Sequence, residues 1–275
     1  MVTRKQHYYP RSLLKNFGDD NSTVFVYIRQ ANKIAKLSYE NICFKRDAYE
    51  SGGIIDNILE NKLSTIEAKA CGIIKNILQN WANENFKISQ DDEEMIFKYM
   101  ILQQLRTDTG RINFISRITT PSVYIPRTRP IEIDEIQENK TKIELFNYMF
   151  KQPNRFEQLI SGINQPDTMK FHIAISENNL LTSDNPIIGI DNWKQIILPI
   201  HPNICLEFQD KGVNRSQNLI VKLTDDKVKY LNQATINTAS YYIISNKEFS
   251  LEENNYIYNR FNNPNWKFQS PHFND

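Results

Sequence analysis

Between Ile54 and Trp81 the apolar residues Ile55, Leu59, Leu63, Ile66, Ala70, Ile74, Ile77 and Trp81 recur at steps of three or four. A strand alternates its faces every second residue and cannot gather such a stripe on one side. The spacing therefore predicts an amphipathic helix over Ile54–Trp81 that must bury one face. Ser89, with Asp92 three residues later and Glu93-Glu94 behind it, reads as the start of a second helix, its acids placed at the positive end of the helix dipole. That helix runs through Gln103, Gln104, Leu105 and Arg106, and its apolar residues point to all sides around Tyr99–Leu105, as on a helix near the middle of a fold. A third helix is predicted over Glu132–Phe150, ended by Pro153.

Beyond about Thr168 the texture changes. Met169–Ile175, Gln195–Ile200, Ile204–Phe208 and Leu219–Leu223 are β-rich runs divided by Asn, Asp, Gly and Pro, and they predict a sheet. A helical pattern over Asp225–Ala239, a strand over Tyr241–Ser245 and a helix over Leu251–Phe261 follow. Near the other end, Thr23–Ile28 and Lys33–Leu37 flank four turn-forming residues and predict a hairpin. The class is α+β: an N-terminal hairpin and helical region packed against a C-terminal, mainly antiparallel sheet. No repeat or long linker divides the chain, so residues 1–275 are expected to form one domain, helix-rich over about 1–165 and strand-rich over about 166–275.

Thirty-three Lys and Arg against 32 Asp and Glu leave a net charge of +1, so any attraction for a polyanion must be local. Cys43, Cys71 and Cys205 are too far apart in sequence for the close pairs of zinc or redox motifs and read as reduced thiols. The basic N-terminus lacks an apolar stretch behind it, and no run approaches the ~20 residues that span a bilayer, so the chain is expected to be soluble, cytoplasmic and without a membrane partner. With eight glycines there is no phosphate-cradling loop, and Gly-x-Ser-x-Gly and His-Glu-x-x-His are absent.

The residues that could carry chemistry are dispersed. His7 lies in a polar cluster with Gln6, Tyr8 and Arg11, as metal ligand, proton carrier or structural tie. Helical turn geometry puts Asp56, Glu60 and Glu67 along one flank of the first helix; Asp56 and Glu60 read as solvated, Glu67 as either a site residue or an interhelical ion pair. Gln103, Gln104 and Arg106 are polar groups on a buried helix and require partners, with Glu67 or Asp184 the natural ones for Arg106. Asp184 stands at a strand end turned by Asn185-Pro186, facing a cleft or closing an Asx-turn. Between Arg106 and Pro130 lie five arginines (Arg106, Arg111, Arg117, Arg127 and Arg129) and one acid, Asp108, which read as an exposed basic loop that either tracks phosphates or is a solvated, salt-bridged surface.

Lys5–Phe17 with its His7-Tyr8-Tyr9-Pro10, Asp47–Glu50, Glu60 and Glu67, Gln103–Thr107, Thr182–Pro186 and Leu198–Pro202 together resemble, in order, the landmarks of the bacterial family called domain of unknown function 4238. The resemblance spans about Lys5 to Ser245, departs at His201 and carries no settled activity. Two readings follow from the residues. In one, His7, Glu67 and Asp184 bind a divalent cation such as Mg²⁺ or Mn²⁺, Gln103 and Arg106 complete the catalytic set, and the protein is a phosphodiesterase, most simply a nuclease acting as a toxin or phage-defence effector. In the other, the cluster is a buried brace in a non-catalytic module that binds nucleic acid or protein, with Arg111, Arg117, Arg127 and Arg129 on the nucleic-acid face.

Overall fold

The computed structural model describes residues 3–120, 131–190, 193–212 and 218–267. The chain opens with β1 (Lys5–His7), the one-turn helix α1 (Arg11–Leu14) and the hairpin β2 (Thr23–Ile28) and β3 (Lys33–Ser38), followed by β4 (Phe44–Arg46). The helices α2 (Ile58–Asn80), α3 (Gln90–Arg106), α4 (Asp108–Thr119), α5 (Ile133–Glu138), α6 (Lys140–Lys151) and α7 (Arg155–Gly162) come next. The strands β5 (Met169–Ile175), β6 (Thr182–Ser183), β7 (Ile188–Ile190), β8 (Gln195–His201), β9 (Ile204–Asp210) and β10 (Ile220–Lys222) precede α8 (Asp225–Thr238), β11 (Tyr242–Ser245) and α9 (Leu251–Asn262).

The α+β class holds, with one change of plan. The N-terminal hairpin is not a separate unit: its strand β2 pairs antiparallel with β11, giving a four-stranded sheet in the order β3-β2-β11-β6. The second sheet, β10-β5-β9-β8-β7, is antiparallel except for β10 beside β5. The largest apolar cluster joins the N-terminal segment (Tyr9, Leu13, Leu14, Phe17) to α2 and α3 (Leu63, Ile74, Met100) and to the inner face of the five-stranded sheet (Phe171, Ile196, Leu198, Leu206, Phe208). Among the described residues no helix is long and apolar enough to cross a membrane. Cys43, Cys71 and Cys205 are free.

The helical boundaries differ in instructive ways. The first helix begins at Ile58 rather than Ile54, because Asn57 takes a left-handed conformation (φ 58°) and the Asp56 carboxylate accepts from the Ile58 amide. Ser89 caps α3 as expected, accepting from the Asp92 amide at 3.1 Å. The exposed loop expected after Arg106 begins instead with a helix: Thr107 accepts from the Gly110 amide at 3.0 Å and starts α4 directly against α3. Glu132–Phe150 is two helices, α5 and α6, and α7 forms beyond Pro153.

Candidate functional site

The first strand is held on both sides. Its register with β4 sets Lys5 opposite Arg46, Gln6 opposite Lys45 and His7 opposite Phe44. Directly opposed residues share a face, so Lys5, His7, Phe44 and Arg46 look one way and Gln6 and Lys45 the other. On the inner side Gln6 is fully buried; its amide donates to Glu50 Oε1 at 3.0 Å and its Oε1 accepts from the Tyr49 amide at 2.8 Å. Glu50 also accepts from the amides of Asp56 and Asn57 and pairs with Lys151 at 2.5 Å. The next two carbonyls of the segment are taken by α3: Arg106 Nη2 donates to His7 O at 2.5 Å and Gln103 Nε2 to Tyr8 O at 2.7 Å.

Arg106 is 2% exposed, and its remaining donors reach Glu67 Oε2 at 2.5 Å and the Tyr49 hydroxyl at 3.1 Å. Of the five residues expected to make one catalytic set, the structure thus joins Glu67, Gln103, Arg106 and the backbone of His7. Asp184 lies elsewhere. One of its carboxylate oxygens accepts from three successive amides, Ser240, Tyr241 and Tyr242, at 2.9–3.1 Å. This is a tie across the chain in place of the local Asx-turn. Glu67 is engaged by Arg106, the His7 ring sits among Arg11, Lys5 and Arg106, and among the described residues no three His, Cys, Asp or Glu side chains are grouped to hold a metal ion. The expected metal set of His7, Glu67 and Asp184 is therefore not assembled. Burial first, and then Arg11, Lys5 and Arg106, push the His7 imidazole down to about 4, which keeps it neutral. Of the two acids read as solvated, Asp56 pairs with Lys151 at 3.0 Å, while Glu60 is half-buried, which raises its pKa, and its Oε2 is without a partner among the described residues.

Beyond Arg106 a tight crevice is lined by Tyr8, Thr107, Asp108, Asp184, Asn185, Ser240 and Tyr241. Asp108 receives Arg111 on one oxygen, and Lys45 and the Tyr241 hydroxyl on the other. Burial works against the Asp108 carboxylate, but Arg111 and Lys45 more than offset it and hold its pKa below the usual range. Asp184 has no such cation, and burial raises it to about 6 against the pull of its three amides. This second cluster lay hidden in the sequence because Lys45, Asp108 and Tyr241 sit in three unrelated segments.

The arginine-rich stretch is corrected. Arg111 is 1% exposed and donates to Ala48 O, Asn147 Oδ1 and Asp108, so it belongs to the interior, as Arg106 does. Arg117 is exposed near the end of α4; Arg127 and Arg129 lie outside the described residues. Among the described residues, accessible positive charge gathers on the N-terminal segment and the strand paired with it. Residues 3–17 and 44–47 contain Arg4, Lys5, Arg11, Lys15, Lys45 and Arg46 against one acid, Asp47. Arg4, Lys5, Arg11, Lys15 and Arg46 are exposed. Asp47 is engaged by Arg4 at 2.5 Å and approached by Arg46 at 3.7 Å. β-Pairing assembles this surface from two segments, so no continuous stretch of the sequence displays it.

No curated protein and no solved structure matches this sequence. A family profile does, over residues 5–249 and so over every element from β1 to β11, including the ribbon, the Arg106 network and the Asp184 tie. The chain belongs to the family described as protein of unknown function (DUF4238).

Proposed function

We propose that the protein is a non-catalytic nucleic-acid-binding module in which the polar cluster is a brace and the N-terminal ribbon is the contact surface. One observation carries the reading: the inner face of β1 and the carbonyls that follow it are fixed by Gln6, Gln103 and Arg106, while the same segment turns Lys5, Arg11 and Lys15, with Arg46 beside them, to solvent. Lys5 directly opposes Arg46 across the ribbon. Like charges in that position weaken a strand pair, and a polyanion relieves the repulsion. Each phosphate neutralised releases counterions, so affinity from such a surface falls steeply with salt.

The test is fluorescence anisotropy of a labelled oligonucleotide titrated with the full chain at several salt concentrations. Binding at low salt, with a log–log slope of up to about −2.8 for four contacts on a single strand, is expected. Changing Lys5, Arg11 and Arg46 to Glu should abolish it while the melting temperature stays near that of the wild type. No binding at low salt, or binding indifferent to the charge reversals, would refute the proposal. The competing metal-dependent nuclease reading draws its support from Asp108 and Asp184 lining one crevice. Incubating the same oligonucleotide with Mg²⁺ or Mn²⁺ checks it, since a non-catalytic module leaves the strand uncut.

A further inference from the structure

The outer face of the ribbon holds more than charge. His7 and Phe44 are cross-strand partners on it, their ring centroids 5.5 Å apart and tilted by 47°. Phe44 is half-buried, yet it packs against none of the apolar clusters formed by the described residues. Part of the Phe44 ring therefore stays open to solvent, and an aromatic ring offers a large rigid contact area where a partner meets it. Its ring is covered by Lys5, whose Nζ lies 4.2 Å from the centroid and also donates to Glu40 O and to Asn41 Oδ1. Lys5 is exposed and can leave the ring for a phosphate. His7 beside it is half-buried and neutral, with its Nδ1 shut away from solvent, and backs the Phe44 ring without adding charge.

Resting on the nucleic-acid reading above, we infer that this face is a stacking platform for single-stranded nucleic acid, with a base on Phe44 beside His7 and phosphates on Lys5, Arg46 and Arg11. Duplexes hide the flat surfaces of their bases in the stack; single strands offer them, and a base stacked on an aromatic side chain contributes roughly 1–3 kcal/mol whatever its identity. Rows of cations alone would not distinguish the two forms. The pairing of an aromatic ring with cations on one ribbon face does.

The experiment compares the full chain's affinity for single-stranded DNA, single-stranded RNA and a duplex of the same sequence by anisotropy at low salt. Either single strand should bind more tightly than the duplex, and the DNA and RNA arms report which sugar is preferred. Phe44→Ala should lose roughly tenfold in single-strand affinity with little change in salt slope. Phe44→Trp should keep the affinity, and its fluorescence should be quenched as the oligonucleotide binds. The Trp variant guards against a mere folding defect in the Ala variant. Equal or tighter binding of the duplex, wild-type affinity in Phe44→Ala, or equally tight binding of polyglutamate would overturn the stacking inference while leaving a charge-driven surface standing. Absence of all binding at low salt would remove that surface and this inference together.

Discussion

At the scale of single residues, Arg106 shows how a polar group becomes structural. A guanidinium offers five donors in a fixed fork, and here its three nitrogens meet Glu67, Tyr49 and the His7 carbonyl on a side chain buried from solvent. Arg106→Met would strip Glu67 of its partner and free a buried carbonyl, costing about 3–5 kcal/mol. At roughly 2–4 °C per kcal/mol, a thermal melt should fall by about 6–20 °C. His7 and Asp184 make a paired prediction. The Asp184 pKa is raised to about 6, so the native state binds the extra proton, and stability is lost as pH rises from about 4 through 6. The His7 pKa is lowered to about 4, so stability is lost instead as pH falls from about 6.5 through 4. The two slopes oppose each other in the wild type. Asp184→Asn removes the first, and its melting temperature should therefore climb between pH 4 and 6.5 more steeply than that of the wild type; parallel curves would contradict the assignment. Arg106 and Gln103 were legible in the sequence because polar residues on an all-round apolar helix demand partners. The partners of Asp184 were not, since backbone amides at 240–242 leave no mark in side-chain identity.

At the scale of elements, the elbow between α3 and α4 decides where Arg106 and Arg111 point. Thr107 is its pivot, accepting from the Gly110 amide and donating to Gln104 O at 2.9 Å. Gly110 is required by contact: a Cβ there would fall 1.8 Å from the Gln104 carbonyl oxygen, and backbone would have to move. Gly110→Ala should destabilise by about 1–3 kcal/mol or more, in contrast to about 1 kcal/mol for removing the α3 cap in Ser89→Ala. Chemical denaturation of both variants measures the difference, and an order reversed from this one would mean the elbow relaxes freely. The same elbow explains the misplaced basic loop. Charge counts carry no information about burial, and Thr107-Asp108-Thr109-Gly110 contains a capping threonine whose meaning depends on α3 having just ended. Long elements were read well, because α2 repeats its apolar spacing over many turns and α3 is announced by its Ser89 cap. The division of α5 from α6 was not, because it rests on the conformation of Asn139 alone.

At the scale of the whole molecule, the four-stranded sheet ties the beginning of the chain to its end, with Val26 opposite Ile244. The hairpin was legible from two β-rich runs around a short turn; its pairing with β11 was not, because strand pairing across most of a sequence has no local signature. A fragment covering residues 1–239 should pellet on expression, and the same fragment with Val26→Lys should pellet less; a soluble, monomeric wild-type fragment would oppose this account. The reason lies in the order of synthesis. Thr23-Val24-Phe25-Val26-Tyr27-Ile28 is six residues of high β-propensity without charge or proline, the composition from which steric zippers form. It leaves the ribosome early, and at about 5–20 residues per second β11 follows only after roughly 10–40 s. During that interval one side of β2 is an unfilled hydrogen-bonding template, and on a crowded polysome the nearest strand of matching sequence belongs to the neighbouring nascent chain.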